Sequence, residues 1–142
     1  LPIQVIAVSG KNKNLQERLE KIRDKASIPV IVFGFINNVY EMMYSSDMII
    51  TKPGGLISSE TLAAGLPMII VNPIPGQEEF NALYLVTEGA GIRVNKLGDV
   101  PIIVGLLLNH PERISEMSNN ARRIGRPRAS FDIAEIILCG KD

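Results

Sequence analysis

The sequence contains one cysteine in 142 residues. A single thiol cannot form an internal disulfide or a thiolate metal site, so neither can stabilise this chain. This cysteine usage fits a reducing compartment. For Cys139 we expect a free thiol that packs in the interior as a small apolar group.

Net charge and long apolar runs are also missing. Fifteen basic and fifteen acidic residues cancel, so no overall field attracts nucleic acid or an anionic membrane, and we expect no nucleic-acid partner. No apolar run approaches the roughly 20 residues that cross a bilayer, which predicts a soluble chain. Any charged ligand must therefore be recognised by local groups.

The usual nucleotide and metal signatures are absent as well. After Gly54 and Gly55 the next glycine is Gly65, so there is no G-x-G-x-x-G, and no Walker A sequence occurs. No Asp-x-Asp or histidine cluster is found, and the one histidine, His110, precedes Pro111 in a capping or surface position. We expect no cofactor and no metal site.

What the sequence does have is an alternation of short apolar runs with helical patterns. Segments 3–9, 29–35, 47–51, 67–73 and 91–95 read as strands, and the tail from 100 onwards reads as helices. This alternation predicts one α/β domain over residues 1–142, with a single Rossmann-like, doubly wound parallel sheet. Ligands of such sheets bind beyond the carboxyl ends of the strands.

Helix starts are predicted from two Asn-x-x-Glu pairs, Asn14 with Glu17 and Asn38 with Glu41. The chain also lacks an initiator methionine and opens directly on a strand-like segment. We therefore expect it to be a fragment from which a preceding part has been removed.

The segment TKPGGLISSE, residues 51–60, leaves a predicted strand and enters a helix almost at once. Its two glycines let the backbone approach a ligand, and the free N–H groups of the following helix suit an anion. Possible side-chain donors are Thr51, Lys52, Ser58 and Ser59. The alternative is a tight turn that only caps a helix.

Glu60 has the wrong sign to bind a phosphate. A carboxylate can instead accept hydrogen bonds from the paired hydroxyls of a ribose. The alternative, compatible with the first, is that the acid interacts favourably with the helix N-terminus.

The next strand ends in the loop PIPGQEEFN, residues 73–81, which is rich in amide and carboxylate groups. Such groups suit a ligand with many hydroxyls, whereas the alternative is a solvated turn built by Pro75 and Gly76. The polar residues are Gln77, Glu78, Glu79 and Asn81. Their position after the glycine turn and Glu60 favours a nucleotide-sugar.

Residues 47–94, DMIITKPGGLISSETLAAGLPMIIVNPIPGQEEFNALYLVTEGAGIRV, resemble the donor-binding half of the two-domain inverting glycosyltransferases that glycosylate membrane lipids. The resemblance is to the diacylglycerol glucosyltransferases and galactosyltransferases of the monogalactosyldiacylglycerol synthase type. The peptidoglycan N-acetylglucosaminyl transferase is a more distant relative. The fold implied is the C-terminal half of a GT-B enzyme.

The resemblance also implies roles for individual residues. Backbone groups of Phe35 and Ile36 would hold the uracil, and Glu60 would bind the ribose. The diphosphate would lie against Gly54 and Gly55, with Ser9 and Gly10 contributing from the first loop.

The sugar would be read by Gln77 and Glu78. The peptidoglycan enzyme has a Gln-Gln pair at that place, so Glu78 departs from it and favours an unsubstituted hexose.

The implied donor is UDP-glucose or UDP-galactose, and the implied acceptor is a diacylglycerol-type lipid. The hexose would be transferred with inversion by a cytoplasmic enzyme that lies peripherally on the membrane. The general base would come from the other domain, so the isolated chain should bind donor and transfer nothing. Alternatives are a UDP-N-acetylglucosamine transferase, including a partner-dependent half-enzyme, a non-catalytic UDP-sugar-binding module and a UDP-sugar epimerase.

A basic cluster near the carboxyl end consists of Arg122, Arg123, Arg126 and Arg128. Three roles stay open for it: contact with anionic lipid headgroups, contact with the missing domain, or a solvated helix end.

Overall fold

The computed structural model describes residues 3–140. Within these residues, five strands and seven α-helices follow one another, with a 3₁₀ turn (Leu97–Asp99) before the fifth helix. In chain order they are β1 Val5–Val8, α1 Lys13–Arg23, β2 Val30–Phe33, α2 Val39–Tyr44, β3 Ile49–Thr51, α3 Gly55–Ala64, β4 Met68–Val71, α4 Gln77–Thr87, β5 Gly91–Val94, α5 Val100–Asn109, α6 Pro111–Ile124 and α7 Ala129–Cys139. Every predicted strand is present, one to three residues shorter than predicted.

All the paired strands are parallel, which confirms the predicted α/β, Rossmann-like class. Strand pairing gives a two-stranded sheet, β1-β2, and a three-stranded sheet in the order β3-β4-β5. The prediction of one continuous sheet is therefore wrong in its pairing. Apolar runs identify strands, whereas the partner of each strand depends on backbone hydrogen bonds that composition does not encode.

The contacts divide the chain into two compact units, the first ending at Met42 and the second beginning at Met43. In the first unit, α1 is capped by Asn12, whose Oδ1 accepts a hydrogen bond of 3.0 Å from the backbone N–H of Leu15. The predicted cap Asn14 is wrong, because it already lies inside the helix. Asn38 does precede α2, and its Nδ2 donates to Glu41 Oε2 at 2.7 Å.

The core of the second unit lies on both faces of β4. Met68, Ile69 and Ile70 are completely buried, as an all-apolar central strand requires. Met68 and Ile70 pack with residues of α3 and α4, whereas Ile69 packs with residues of β5, α5 and α6. The helices α3 and α4 therefore pack against the same face of β4.

Cys139 is exposed, so the prediction of a buried thiol is wrong. It ends α7, and none of the residues of that fully described helix is buried. Within residues 3–140, no helix combines the length and apolarity needed to cross a bilayer.

Candidate functional site

The turn between β3 and α3 presents free backbone donors. Gly54 is the N-cap in an extended conformation, and within residues 3–140 no side chain caps this helix. Its carbonyl accepts from Ser58 N–H at 3.0 Å, which closes the first turn. The N–H groups of the first helical residues, beginning with Gly55, have no carbonyl partner inside a helix. These N–H groups are therefore available as hydrogen-bond donors at the positive end of the helix dipole.

The loop after β4 reaches this turn. Asn81 Nδ2 donates a hydrogen bond of 2.9 Å to the carbonyl oxygen of the buried Pro53. A Cβ atom placed on Gly55 would lie 3.7 Å from Gln77 Nε2, and one on Gly54 would lie 4.0 Å from Glu78 Oε1. The glycine turn and the amide and carboxylate groups of α4 therefore surround the same place.

Glu78 also has a local structural role. Its Oε2 accepts a hydrogen bond of 2.7 Å from Ile74 N–H, while Oε1 faces Gly54, at 4.0 Å from a Cβ placed there. The loop turns at Gly76, whose φ of 102° is unfavourable for other residues, and Pro75 beside it is exposed. The solvated turn and the polar site are thus connected, because the Ile74–Glu78 hydrogen bond spans the turn.

Glu60 lies in the second turn of α3, and it is exposed. The alternative that Glu60 interacts favourably with the helix N-terminus therefore does not account for this residue, because that effect fades beyond the first turn.

The hydroxyl groups around α3 differ. Ser59 Oγ donates to Gly55 O at 3.0 Å, which commits its proton. Ser58 is buried, and its Oγ has no partner in the described chain. Thr51 is half-buried at the end of β3, and Lys52 beside it is exposed.

The first unit holds the remaining predicted residues in a group of their own. Ser9 N–H and Oγ both donate to Phe33 O, at 2.9 and 3.2 Å. Gly10 follows with φ of 60°. The ammonium of Lys11 lies 5.2 Å from the centroid of the exposed Phe35 ring, a cation–π distance. Ile36 next to it is half-buried.

Two contacts of the second unit were not predicted from the sequence. Glu79 forms a bidentate ion pair with Arg93 on β5. Both of its carboxylate oxygens are therefore already paired, and Glu79 does not join the other polar residues of the 73–81 loop. The Asn81–Pro53 hydrogen bond joins residues 28 positions apart, and no local pattern indicates it.

A cavity of about 530 Å³ lies at the opposite end of α3, between the last turn of that helix and α6. None of the predicted site residues lines it. Among residues 3–140 no group of three or more His, Cys, Asp or Glu side chains is placed to hold a metal ion.

Solved glycosyltransferases share this fold. Acinetobacter baumannii MurG superimposes with a TM-score of 0.73 at 20% identity, over 96% of this chain and 52% of that one. WaaG, a glycosyltransferase involved in lipopolysaccharide biosynthesis, gives a TM-score of 0.70 at 19% identity, over 97% and 38%. The fold is that of the GT-B glycosyltransferases, as the sequence predicted.

The family is given by the sequence comparison. Residues 2–121 match the glycosyltransferase family 28 C-terminal domain, and the chain belongs to that family. It is 34% identical over 136 residues to a processive diacylglycerol beta-glucosyltransferase of Bacillus cytotoxicus and 35% identical to that of Bacillus licheniformis. It spans about a third of the length of these relatives, covering 35% and 34% of them.

Proposed function

We propose that this chain is the donor-binding part of a glycosyltransferase that moves glucose or galactose from a UDP-sugar to a diacylglycerol-type lipid with inversion. The observation that carries the proposal is the meeting of the uncapped glycine turn with Gln77 and Glu78, joined by the Asn81–Pro53 hydrogen bond. The similarity to processive diacylglycerol beta-glucosyltransferases supports this choice of acceptor and donor class.

The diphosphate binds at the start of α3. Backbone N–H groups at the start of α3, beginning with Gly55, donate to its oxygens, and the exposed ammonium of Lys52 supplies a counter-charge. Gly54 contributes by letting the ligand approach closely, because its own N–H donates to Lys52 O at 3.0 Å. Thr51 is placed to add a hydroxyl. In the first unit, Ser9 and Gly10 form the second diphosphate-binding loop.

Glu60 accepts hydrogen bonds from the two ribose hydroxyls. Its exposure and its place beyond the first turn leave both carboxylate oxygens free of a capping role. Ser58 and Ser59 line the same helix, but the proton of Ser59 is used on Gly55 O, so it is available only as an acceptor. The uracil lies against the backbone of Phe35 and Ile36.

The hexose is read by α4. Gln77 contributes an exposed amide, and Glu78 contributes Oε1 because Oε2 is used by Ile74 N–H. A carboxylate oxygen accepts hydrogen bonds from hydroxyls, which favours an unsubstituted hexose. Pro75, Gly76 and Asn81 hold this end of the loop in place.

Transfer proceeds by displacement at the anomeric carbon, as the acceptor hydroxyl forms its bond while the bond to the diphosphate oxygen breaks. The N–H groups of α3 and Lys52 stabilise the charge that develops on the departing diphosphate. The base that removes the acceptor proton lies in the other domain of the enzyme, outside this chain. The whole enzyme is placed peripherally on the cytoplasmic face of the membrane. Alone, the chain binds donor without transferring it.

Calorimetry with UDP, ADP, UDP-glucose, UDP-galactose and UDP-N-acetylglucosamine tests the proposal. Glu60→Ala should weaken every uridine ligand alike, whereas Gln77→Ala should weaken only those that carry a hexose. Glu116→Ala, an exposed acid on α6, is the matched control. Equal affinity for ADP and UDP would refute the uracil site, and unchanged UDP affinity in Glu60→Ala would refute the ribose role.

A second candidate is a UDP-N-acetylglucosamine transferase. It is kept because residues 47–94 also resemble, more distantly, the peptidoglycan N-acetylglucosaminyl transferase. The same ligand series decides between the two, because preferential binding of UDP-N-acetylglucosamine over both UDP-hexoses would favour the second.

A further inference from the structure

The helices α3 and α4 end in the same way. Each ends at a left-handed glycine, Gly65 with φ of 68° and Gly89 with φ of 72°. Leu66 N–H donates back to Thr61 O at 3.0 Å, and Ala90 N–H donates back to Leu85 O at 2.9 Å. These bonds are typical of helix ends that stop at glycine.

One helix, α6, contacts both of these ends. Ser118 Oγ donates to the carbonyl oxygen of Gly65 at 2.7 Å, and Asn120 Nδ2 donates to that of Gly89 at 3.3 Å. We refer to these two hydrogen bonds as the α6 contacts. A third interaction accompanies them, since Arg123 donates to the carbonyl and the carboxylate of Glu88 at 3.3 and 2.9 Å.

A side chain at either glycine would have to displace an α6 side chain. A Cβ on Gly65 would lie 2.6 Å from Arg122 Nε, and one on Gly89 would lie 2.8 Å from Asn120 Nδ2. The α6 side chains thus occupy the space that a larger residue at either helix end would take. The same two positions serve both the helix stop and the contact with α6.

The helix α6 is itself held firmly. Ala121 is completely buried in the core on the α3 and α4 side of β4, and Met117 is buried in the core on the other side. At the end of α6, a Cβ on Gly125 would lie 2.7 Å from Leu62 O, so the backbones of α6 and α3 approach closely there. The element is therefore suited to act as a fixed reference for its neighbours.

We propose that α6 sets the spacing of the two ligand-binding turns by fixing α3 and α4 at their far ends, with Ser118 and Asn120 as positioning residues. The inference rests on the proposed function in taking the N-terminal turns of α3 and α4 as the donor site. Each helix is about 15 Å long and stiff, so a tilt at its C-terminal end moves its N-terminal turn. At the near end, the Asn81–Pro53 hydrogen bond joins the two turns.

This arrangement distinguishes ligands by how many helices they touch. UDP uses α3 through Gly55 and Glu60, whereas a UDP-hexose also uses α4 through Gln77 and Glu78. Loss of the α6 contacts should therefore weaken UDP-hexose more than UDP. A residue that only stabilised the fold would affect both ligands equally.

The first test measures the spacing directly and needs no ligand. Spin labels are attached to cysteines introduced at the exposed positions Leu56 and Phe80, in a background where Cys139→Ser removes the native thiol. Ser118→Ala combined with Asn120→Ala should broaden the distance distribution between the labels.

The control for that test is Ser115→Ala combined with Asn119→Ala, which changes the same residue types at exposed positions of α6. It should keep the distribution of the unsubstituted chain. A distribution for the Ser118 and Asn120 variant that matches the control overturns the proposal, even if the melting temperature falls.

The second test compares affinities for UDP and UDP-glucose by calorimetry. The Ser118 and Asn120 variant should lose about tenfold or more in affinity for UDP-glucose, because small misplacements of binding groups are costly. Its affinity for UDP should change by less than about threefold. Equal loss for both ligands overturns the proposal. If the unsubstituted chain binds neither ligand, the proposed function fails, and the label distances alone decide the role of α6.

Discussion

Two substitutions of Asn81 test the Asn81–Pro53 hydrogen bond, because alanine and aspartate should destabilise the chain to different extents. Asn81 Nδ2 donates at 2.9 Å to the carbonyl oxygen of Pro53, which has a buried ring. Asn81→Ala removes the donor and leaves the carbonyl without it. We expect the free energy of unfolding of the second unit to fall by about 1–2 kcal/mol.

Asn81→Asp should be worse at neutral pH. The introduced carboxylate has only acceptor oxygens and would face the carbonyl oxygen of Pro53, so we expect a further loss of about 1 kcal/mol. The protonated acid, in contrast, can donate to that carbonyl. Its pKa in the folded chain should therefore be raised above the ordinary value of about 3.9.

The pH dependence follows from this raised pKa. Below the ordinary pKa the introduced acid is protonated in both states, so the Asp variant should be at least as stable as the Ala variant. That stability is lost as the pH rises through the folded-state pKa. The difference in stability between the Asp and Ala variants should therefore change sign between acid and neutral pH.

The assay is urea unfolding followed by circular dichroism, together with native-state hydrogen exchange of the α3 and α4 amides, at acid and neutral pH. Asn119→Ala and Asn119→Asp, at an exposed site of α6, control for helix propensity and net charge. Two results would refute the reasoning: an unchanged stability in Asn81→Ala, or an Asp variant at least as stable as the Ala variant at neutral pH.

The remaining predictions concern two glycines and one acid. Gly65→Ala should cost about 1–2 kcal/mol, because φ is 68° and the new Cβ meets Arg122 Nε, and thermal unfolding will show it. Gly105→Ala should instead stabilise by about 0.5–1 kcal/mol, because the site lies inside α5 and nothing in the described chain is within 4 Å of the new Cβ. A hydrogen bond from its own backbone N–H, and then one from His110, lower the pKa of Glu112. His110→Ala should raise the pKa of Glu112, which an NMR titration will measure. The ionised carboxylate stabilises the fold slightly above its ordinary pKa, and this stabilisation is lost as the pH falls. In the His110→Ala variant the stabilisation should be smaller.

Local patterns predicted the strands well but not all of the helix ends. Residues 67–73 are almost wholly apolar, and β4 is the buried central strand there. The start of α1 was misplaced because Asn12 and Asn14 are both good caps, and only the backbone conformation selects the first. Cys139 was placed wrongly because an apolar helical pattern does not reveal whether another element covers it.

The candidate site was partly predictable for a topological reason. Loops after neighbouring parallel strands emerge at one edge, so the meeting of Gly54 with Glu78 followed from the order of β3 and β4. The pairing of Glu79 with Arg93 was not predictable, because it joins side chains 14 positions apart across two elements. For the same reason the contacts from α6 to the ends of α3 and α4 have no signature in the sequence.

The missing cap at Gly54 makes this position a point of competition between helix and ligand. A side chain that capped α3 would satisfy the same N–H groups that the proposed diphosphate would use, and a small one would fit, since the nearest atom to a Cβ there is 3.7 Å away. Gly54→Ser would therefore give a more stable chain with a weaker site. Under the proposed function, the diphosphate would complete the helix in place of a capping side chain, so addition of UDP should raise the melting temperature of the chain.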